Sequence, residues 1–417
     1  RAPWITSTFE RARVLLAPRR ATEGSRRDPA DRRRFDALWA AAKEVVLLAP
    51  TAGDALSVHA LREAIQLDDP SRLSWALGYE AALEANIGGS YLQRRARGLE
   101  AQVCRLAAES GEAFDHAYAR SVQGVVAWFA GEWRAAETAL RDAIHLYARL
   151  PNPSAHERHV LESFWVGALE AQGKLPELNA LVAELRIAAE QTGHVHAIAM
   201  CKLSAASLPA LARDRALDAI ADADAAISGW SNDDFTPIRF QHCVVSVSAR
   251  LYAGHAAQAF SQIEQLWQRT SRNYFLRLDS VGVMLRQLRG RAALALARES
   301  SASEAERLKK IANKEAAAIG GSRSLHARAL ERVIACGVAS LSGDRDLARR
   351  HCAEALAGFD LAEMPLMREI ARHHHAELIE DAMERRRARE RSDAFMKHVG
   401  VENPSAMARS WFPIAPR

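Results

Sequence analysis

A turn residue returns at nearly fixed distance along this chain, and that recurrence limits the possible folds more than any other feature. Gly89 in "NIGGSYLQ", Gly131 in "FAGEWRAA", Gly173 in "AQGKLPEL", Asp214 in "LARDRALD", Gly254 in "LYAGHAAQAF" and Gly343 in "LSGDRDLARR" follow one another at 42, 42, 41, 40 and 89 residues. The last interval is two units, with a break near "ARESSASEAE". Each turn lies between stretches with apolar side chains at helical spacing. Phe164, Trp165, Ala168 and Leu169 precede Gly173, and Leu178, Leu181, Val182 and Leu185 follow it. Each unit therefore reads as a helical hairpin whose glycine lets the first helix end in a left-handed residue. A ligand loop occurs once, whereas a packing device repeats. The run "VQGVVAWFAGEWRAAETALRDAIHLY", residues 122 to 147, is thus predicted to be a packed hairpin with Gly131 at positive φ and Trp133 buried. Ala136 and Ala143 are small enough to let its second helix pack closely on the first.

With Gly131 at the turn, Gly124 falls seven residues earlier and Trp133 two later, followed by Ala136, Leu140 and Ala143. This pattern resembles the tetratricopeptide repeat. The unit around Gly343, with Ala348, Cys352, Ala355 and Leu356, is similar, and the other units match loosely. Units of 40 to 42 residues are longer than that family's usual period of about 34, which implies longer helices and a divergent variant. The expected fold is an all-α solenoid of about eight hairpins.

The length fits that reading. A chain of 417 residues ordinarily divides into domains, yet no Gly/Ser/Pro-rich linker interrupts it after residue 35. Stacked hairpins share a continuous core and can grow without splitting. The apolar content of 49% suffices for burial, and no alternation of Val, Ile and Thr marks a sheet. The expected division is an Arg-rich linker or extension over residues 1–34, the solenoid over 35–400, and a capping segment over 401–417.

Charge is unevenly placed. The net charge is +5 overall, but residues 1–34 hold ten arginines against four acids, leaving the remainder near neutrality. Since "RRATEGSRRDPADRRR" also carries Pro, Gly, Ser and Asp, it reads as a solvated linker. Nucleic-acid binding needs basic residues interleaved with aromatics along a groove; only Phe35 is near, so no specific nucleic-acid role is assigned. The basic run "ERRRARER" at 384–391 has acids at helical spacing and reads as a solvated helix face. No unbroken run of 18 apolar residues and no signal-peptide core occur, so a cytoplasmic protein without a membrane span is expected. Five cysteines with no CxxC pair do not form a disulfide framework. Cys201, Cys243, Cys336 and Cys352 sit in apolar helical stretches as small packing residues, and Cys104 stands apart from them.

Motifs for chemistry are absent. "GALEAQGKL" at 167–175 has the wrong number of residues between its glycines for a phosphate loop, Leu175 where a hydroxyl is needed, and a place between helices. No kinase glycine loop, HRD or DFG element occurs. The sharpest metal candidate is "REIARHHHAELIE", where Glu369, His373 and Glu377 share one helix face. Consecutive histidines diverge around a helix, no second helix offers a matching motif, and Glu–His pairs on a helix face explain the run as well. His194 and His196 in "TGHVHA" read as the start of a helix. No cofactor, metal or catalytic residue is assigned, and the chain is expected not to be an enzyme.

The two ends carry a second pattern. "FMKHVGVENPSAMARSWFPIAP" resembles the ending of large bacterial serine/threonine protein kinases in which kinase, ATPase module and a long tetratricopeptide-like region follow one another. Gly400, Val401, Asn403, Pro404, Met407 and Pro413 match that ending, while "SWFP" departs from it. "RRFDALWAAAKEVVLLAP" with "ALREAIQLDDPSRLSWALGYEAALEANIGG" is similar to the beginning of the same region. The resemblance implies a kinase-associated regulatory arm in signal transduction, with a protein or peptide partner and a kinase/ATPase module in cis or in trans. Neither catalytic activity carries over, because no residue matches the motif of either. Physically, Asn403 can cap a helix that starts at Pro404, and Trp411 and Phe412 can seal the end of the stack.

In tetratricopeptide-like stacks the first helix of each unit lines the concave surface. The resemblance therefore places Tyr79, Asn86, Tyr118, Ser121, Ser163, Glu170, Gln241 and Ser248 toward a partner, with Tyr79 and Tyr118 equally readable as packing between repeats. Two further readings stay open: a sensor arm of a signalling ATPase that holds a small molecule in the concavity, and a metal-dependent enzyme built on Glu369, His373 and Glu377.

Overall fold

The computed structural model describes Arg11 and residues 28–151, 155–230, 236–270, 274–322 and 324–412. They form helices and no β-strand. Two compact units emerge, one of residues 1–127 and 138–161, the other of 128–137 and 162–417.

The first unit is built on α1 (Pro29–Leu48) and α2 (Pro50–Gln66), then α3 (Pro70–Ile87) and α4 (Ser90–Ser110), then α5 (Ala113–Ala130) and α6 (Trp133–Ala148), whose turn residues 128–137 are compact with the second unit. Prolines open α1, α2 and α3, where the missing N–H costs nothing. Asp28 and Asp69 cap α1 and α3 by accepting from the N–H groups of Ala30 and Arg72. Because α1 begins at Pro29, the helical region starts inside the stretch expected to be linker. Apart from Arg11 and residues 28–34, that stretch lies outside the described residues. At Gly124 an added Cβ would come within 2.8 Å of Leu140 Cγ, so α5 and α6 approach as closely as the small residues suggested. Ala136, Leu140 and Ala143 are fully buried.

The second unit continues with α7 (Ala155–Gln172) from residue 162 onward and α8 (Leu175–Thr192). There follow α9 (Val195–Ala206), α10 (Leu208–Ala212) and α11 (Ala216–Ala226), then α12 (Pro237–Tyr252) and α13 (Ala256–Thr270). Next come α14 (Asp279–Ala297) and α15 (Ala302–Gly320), α16 (Leu325–Leu341) and α17 (Arg345–Leu361), α18 (Pro365–Leu378) and α19 (Ala382–His398), and the closing α20 (Pro404–Trp411). The break near "ARESSASEAE" is the turn between α14 and α15. The hairpins that turn at Ala49 and at residues 379–381 contain no turn glycine, so a count built on glycines falls short of the nine hairpins among the described residues. Gly131, Gly173, Gly254 and Gly343 all have positive φ, and Asp214 stands in the same left-handed region at 56°. Asn403 accepts from the N–H of Ala406 at 3.1 Å and Pro404 opens α20, as the sequence predicts.

Residues 195–212 reach a mean hydropathy of 1.4 over 18 positions, apolar and long enough by composition to cross a membrane. Lys202, Ser204 and Ser207 interrupt the apolar sequence, and the helix breaks at Ser207 ahead of Pro209. Ala199, Leu203 and Leu211 are buried in the core of the second unit with Leu178, Ala219 and Val245. Full burial of a side chain such as Leu203 contributes roughly 1.5–3 kcal/mol.

In the second unit the hairpins also meet far along the chain. Trp133 packs on His326, ring centroids 5.2 Å apart. A Cβ added at Gly173 would lie 2.4 Å from Leu366 Cβ. Asn403 Nδ2 donates to Asp214 Oδ2 at 3.1 Å, 189 residues apart in sequence, and the Glu402 N–H donates to the Ala212 carbonyl at 2.7 Å. The three residue pairs, Trp133 with His326, Gly173 with Leu366 and Asp214 with Asn403, share nearly the same sequence offset. A simple solenoid has contacts only between neighbouring repeats; here successive turns are braced by a later set of hairpins.

Candidate protein-interaction faces

The eight residues placed on first helices do lie there: Tyr79 and Asn86 on α3, Tyr118 and Ser121 on α5, Ser163 and Glu170 on α7, Gln241 and Ser248 on α12. In the first unit three of them are engaged in packing. Tyr79 meets Trp39 edge-on at 6.2 Å. Tyr118 stacks on Phe114 and its hydroxyl donates to the Trp75 carbonyl at 2.8 Å, while burial holds the phenol well above its ordinary pKa. Ser121 is buried and donates to the Ala117 carbonyl at 2.8 Å. Phe35, Trp39, Trp75, Tyr79, Phe114, Tyr118 and Tyr147 form one aromatic seam through the three hairpins. Asn86 is half-buried.

In the second unit Ser163 is exposed, and Gln241 and Ser248 are half-buried. Glu170 accepts a hydrogen bond from the Ser207 hydroxyl. Burial pushes its carboxyl up to about 7, opposed by that hydrogen bond.

Glu369, His373 and Glu377 do not assemble a metal site. Glu369 is buried and holds Arg372 through both oxygens at 2.8 Å and Arg368 at 3.0 Å. His373 Nε2 faces Asp393 at 3.3 Å and Ser405 at 3.4 Å, and Glu377 accepts from Arg389 at 2.8 Å. Each carboxylate is neutralised by arginine, so the shared helix face is an ion-pair network. Among the described residues no group of three or more His, Cys, Asp or Glu side chains is arranged to hold a metal ion. This corrects the metal-enzyme reading.

All five cysteines are free thiols; Cys243, Cys336 and Cys352 are buried, and Cys201 is half-buried, as is Cys104. One arrangement escaped sequence reasoning: the neighbouring Cys352 and His374 hold the buried Cys336 thiol below its ordinary pKa. Cys336 and Cys352 have no exposed surface, and His374 is covered by Phe412 at 4.5 Å. A substrate has no path to this group, so it is interior packing. The sequence held no signal for it, since Cys336, Cys352 and His374 share no spacing motif.

The described residues include two open hollows. One in the first unit, about 390 Å3, lies between Arg34, Leu38, His59 and Glu63. One in the second unit, about 330 Å3, lies where the turn at Gly173 meets Arg134, Glu363, Phe395 and His398. Neither is lined by any of the eight first-helix residues.

No family model matches the sequence, and no curated protein matches it. Among solved structures, the crystal structure of the P58(IPK) TPR domain is similar over 88% of this chain and 99% of that chain, with 14% sequence identity and a TM-score of 0.20. A score that low leaves the helical-repeat assignment resting on the hairpins themselves.

Proposed function

We propose that the chain is a non-catalytic protein-interaction scaffold, and more narrowly the regulatory arm of a bacterial serine/threonine kinase system working in the cytoplasm. The observation that supports the scaffold reading is the run of helical hairpins whose first helices carry Asn86, Ser163, Gln241 and Ser248 with polar side chains at least partly exposed. Helical hairpins in series offer an extended surface for a peptide or protein segment. The kinase reading rests on the ends of the sequence, "VENPSAM" and "RRFDALWAAAKEVVLLAP". In this reading residues 1–34 join the arm to an upstream module, residues 35–400 bind, and residues 401–417 cap the stack. The chain neither binds nor hydrolyses ATP and phosphorylates nothing by itself.

The test is direct. Reading the coding region next to this one identifies a kinase or ATPase module, which is then titrated onto the purified chain. Saturable binding that weakens when Ser163, Gln241 and Ser248 are replaced by arginine supports the proposal. Absence of any kinase-like neighbour sinks the narrower reading. A second reading, a small-molecule sensor, draws on the hollow at Gly173, where Arg134, Lys174 and His398 stand beside Glu177 and Glu363. Ligand screening by thermal shift, with Lys174→Ala as control, separates it from the peptide-binding reading.

A further inference from the structure

The first unit holds a charge arrangement that hairpin packing does not require. Asp54 and Ser57 on α2 and Glu80 and Glu84 on α3 are all buried, Glu80 completely. Carboxylates removed from water lose hydration and repel one another, so they keep their charge only around a cation. That cation is Arg11. Its Nη2 donates to Asp54 Oδ1 at 2.8 Å and to Ser57 Oγ at 3.1 Å, its Nη1 donates to Asp54 Oδ2 at 3.4 Å, and its Nε lies 2.6 Å from Glu80 Oε2. Ser57 donates in turn to the Asp54 carbonyl at 2.7 Å, which fixes its lone pairs toward Arg11. The guanidinium is thus forked onto Asp54 by two hydrogen bonds and ion-paired with Glu80 on its Nε side, an arrangement that lysine cannot reproduce.

Acceptor capacity remains in the pocket. Glu84 is engaged by Arg95 at 2.9 Å, while Glu84 Oε2 and Glu80 Oε1 have no hydrogen-bond partner among the described residues. Every acceptor belongs to the hairpin framework. The donor, Arg11, comes from upstream of α1, 43 residues from Asp54.

We propose that this pocket is a guanidinium receptor in which Arg11 is the resident ligand and for which an arginine side chain of a protein partner competes. The partner is recognised by one arginine, with Asp54 and Glu80 gripping two edges of its guanidinium and Ser57 setting its orientation.

The experiment uses the full chain carrying Arg11→Ala, or Arg11→Gln where the alanine variant does not fold, with Arg11→Ala/Glu80→Gln as the variant that lacks one of the two carboxylates. Calorimetric titration with methylguanidinium at constant ionic strength is compared with methylammonium, and thermal unfolding is followed in parallel. Methylguanidinium is expected to bind Arg11→Ala saturably, at least about tenfold more tightly than methylammonium, and to restore the lost melting temperature. Binding is expected to fall by about tenfold or more in the unaltered chain, where Arg11 is present, and in the Glu80→Gln double variant. An acetylated Gly-Arg-Gly tripeptide is expected to follow methylguanidinium. Equal response to both cations, or equal binding with and without Arg11, overturns the receptor; binding of the small ion without the tripeptide overturns the partner. These readouts concern the pocket alone and stand whether or not a kinase module binds elsewhere.

Discussion

The guanidinium carbon of Arg291 lies 3.9 Å from the centroid of the Trp411 ring. Arg291 on α14 is fully buried, and its Nη2 donates to the carbonyl of Ser410. Among the described residues no carboxylate accompanies it, and burial lowers its pKa to about 9. The π face of Trp411 and the end of α20 supply what stabilisation the charge has. The pair explains physically why Trp411 closes the second unit, and Phe412, 1% exposed, closes it beside His374.

Trp411→Ala therefore leaves a buried charge without its ring and is expected to cost about 2–4 kcal/mol in urea unfolding at pH 7. Arg291→Met removes charge and desolvation together and is expected to fall within about 2 kcal/mol of the parent or above it. Because the folded-state pKa is lowered, the folded state holds fewer protons than the unfolded chain from pH about 9 upward, and stability contributed at this site rises with pH there. The parent should gain stability relative to Arg291→Met between pH 8 and pH 10; a constant difference would refute the assignment.

Trp133 is 4% exposed and meets both Trp128 and His326. Burial holds the His326 imidazole down at about 4, so a neutral ring faces the indole at neutral pH. Trp133→Ala is expected to cost about 3–5 kcal/mol. Hydrogen exchange should quicken in residues 128–173 and also around 324–335. Confinement of the change to the nearest hairpins would show that the contact with α16 contributes nothing.

Gly173 has φ 66°, and a Cβ there would stand 2.4 Å from Leu366 Cβ. Gly173→Val thus combines backbone strain of about 1–3 kcal/mol with a clash against the Leu366 side chain. Gly343 has φ 79° with nothing within 4 Å of the added Cβ, so Gly343→Val should suffer the strain alone. Thermal unfolding of the two variants separates the terms: Gly173→Val must melt lower.

Glu170 has a folded-state pKa raised from 4.5 to about 7. The folded state then binds more protons than the unfolded chain between those values, and the stability contributed by the protonated carboxyl is lost as pH rises from about 4.5 through 7. Glu170→Gln keeps an acceptor for Ser207 without the charge. It is expected to gain about 1–3 kcal/mol over the parent at pH 8 and little or nothing at pH 4.5. Urea unfolding at both values checks this, and a gain independent of pH would place the carboxyl in water.

The period of 40 to 42 residues, the left-handed turns at Gly131, Gly173 and Asp214, the Asn403–Pro404 start of α20 and the burial of Trp133 were all legible in the sequence. Helix starts, helix stops and hairpin closure depend on residues close together in the chain, and their signals are local. The partners of those same residues were decided by tertiary structure. Nothing near Trp133 announces His326, nothing near Gly173 announces Leu366, and nothing near Asp214 announces Asn403, because these partners stand far apart in the sequence and no local signal links them. The same holds for chemistry. Glu369, His373 and Glu377 share a helix face by spacing, but Arg368, Arg372 and Arg389 decide that the face is an ion-pair network. Arg11 reads as part of a solvated basic stretch until α2 and α3 bring Asp54 and Glu80 to one point, where burial makes a single guanidinium necessary.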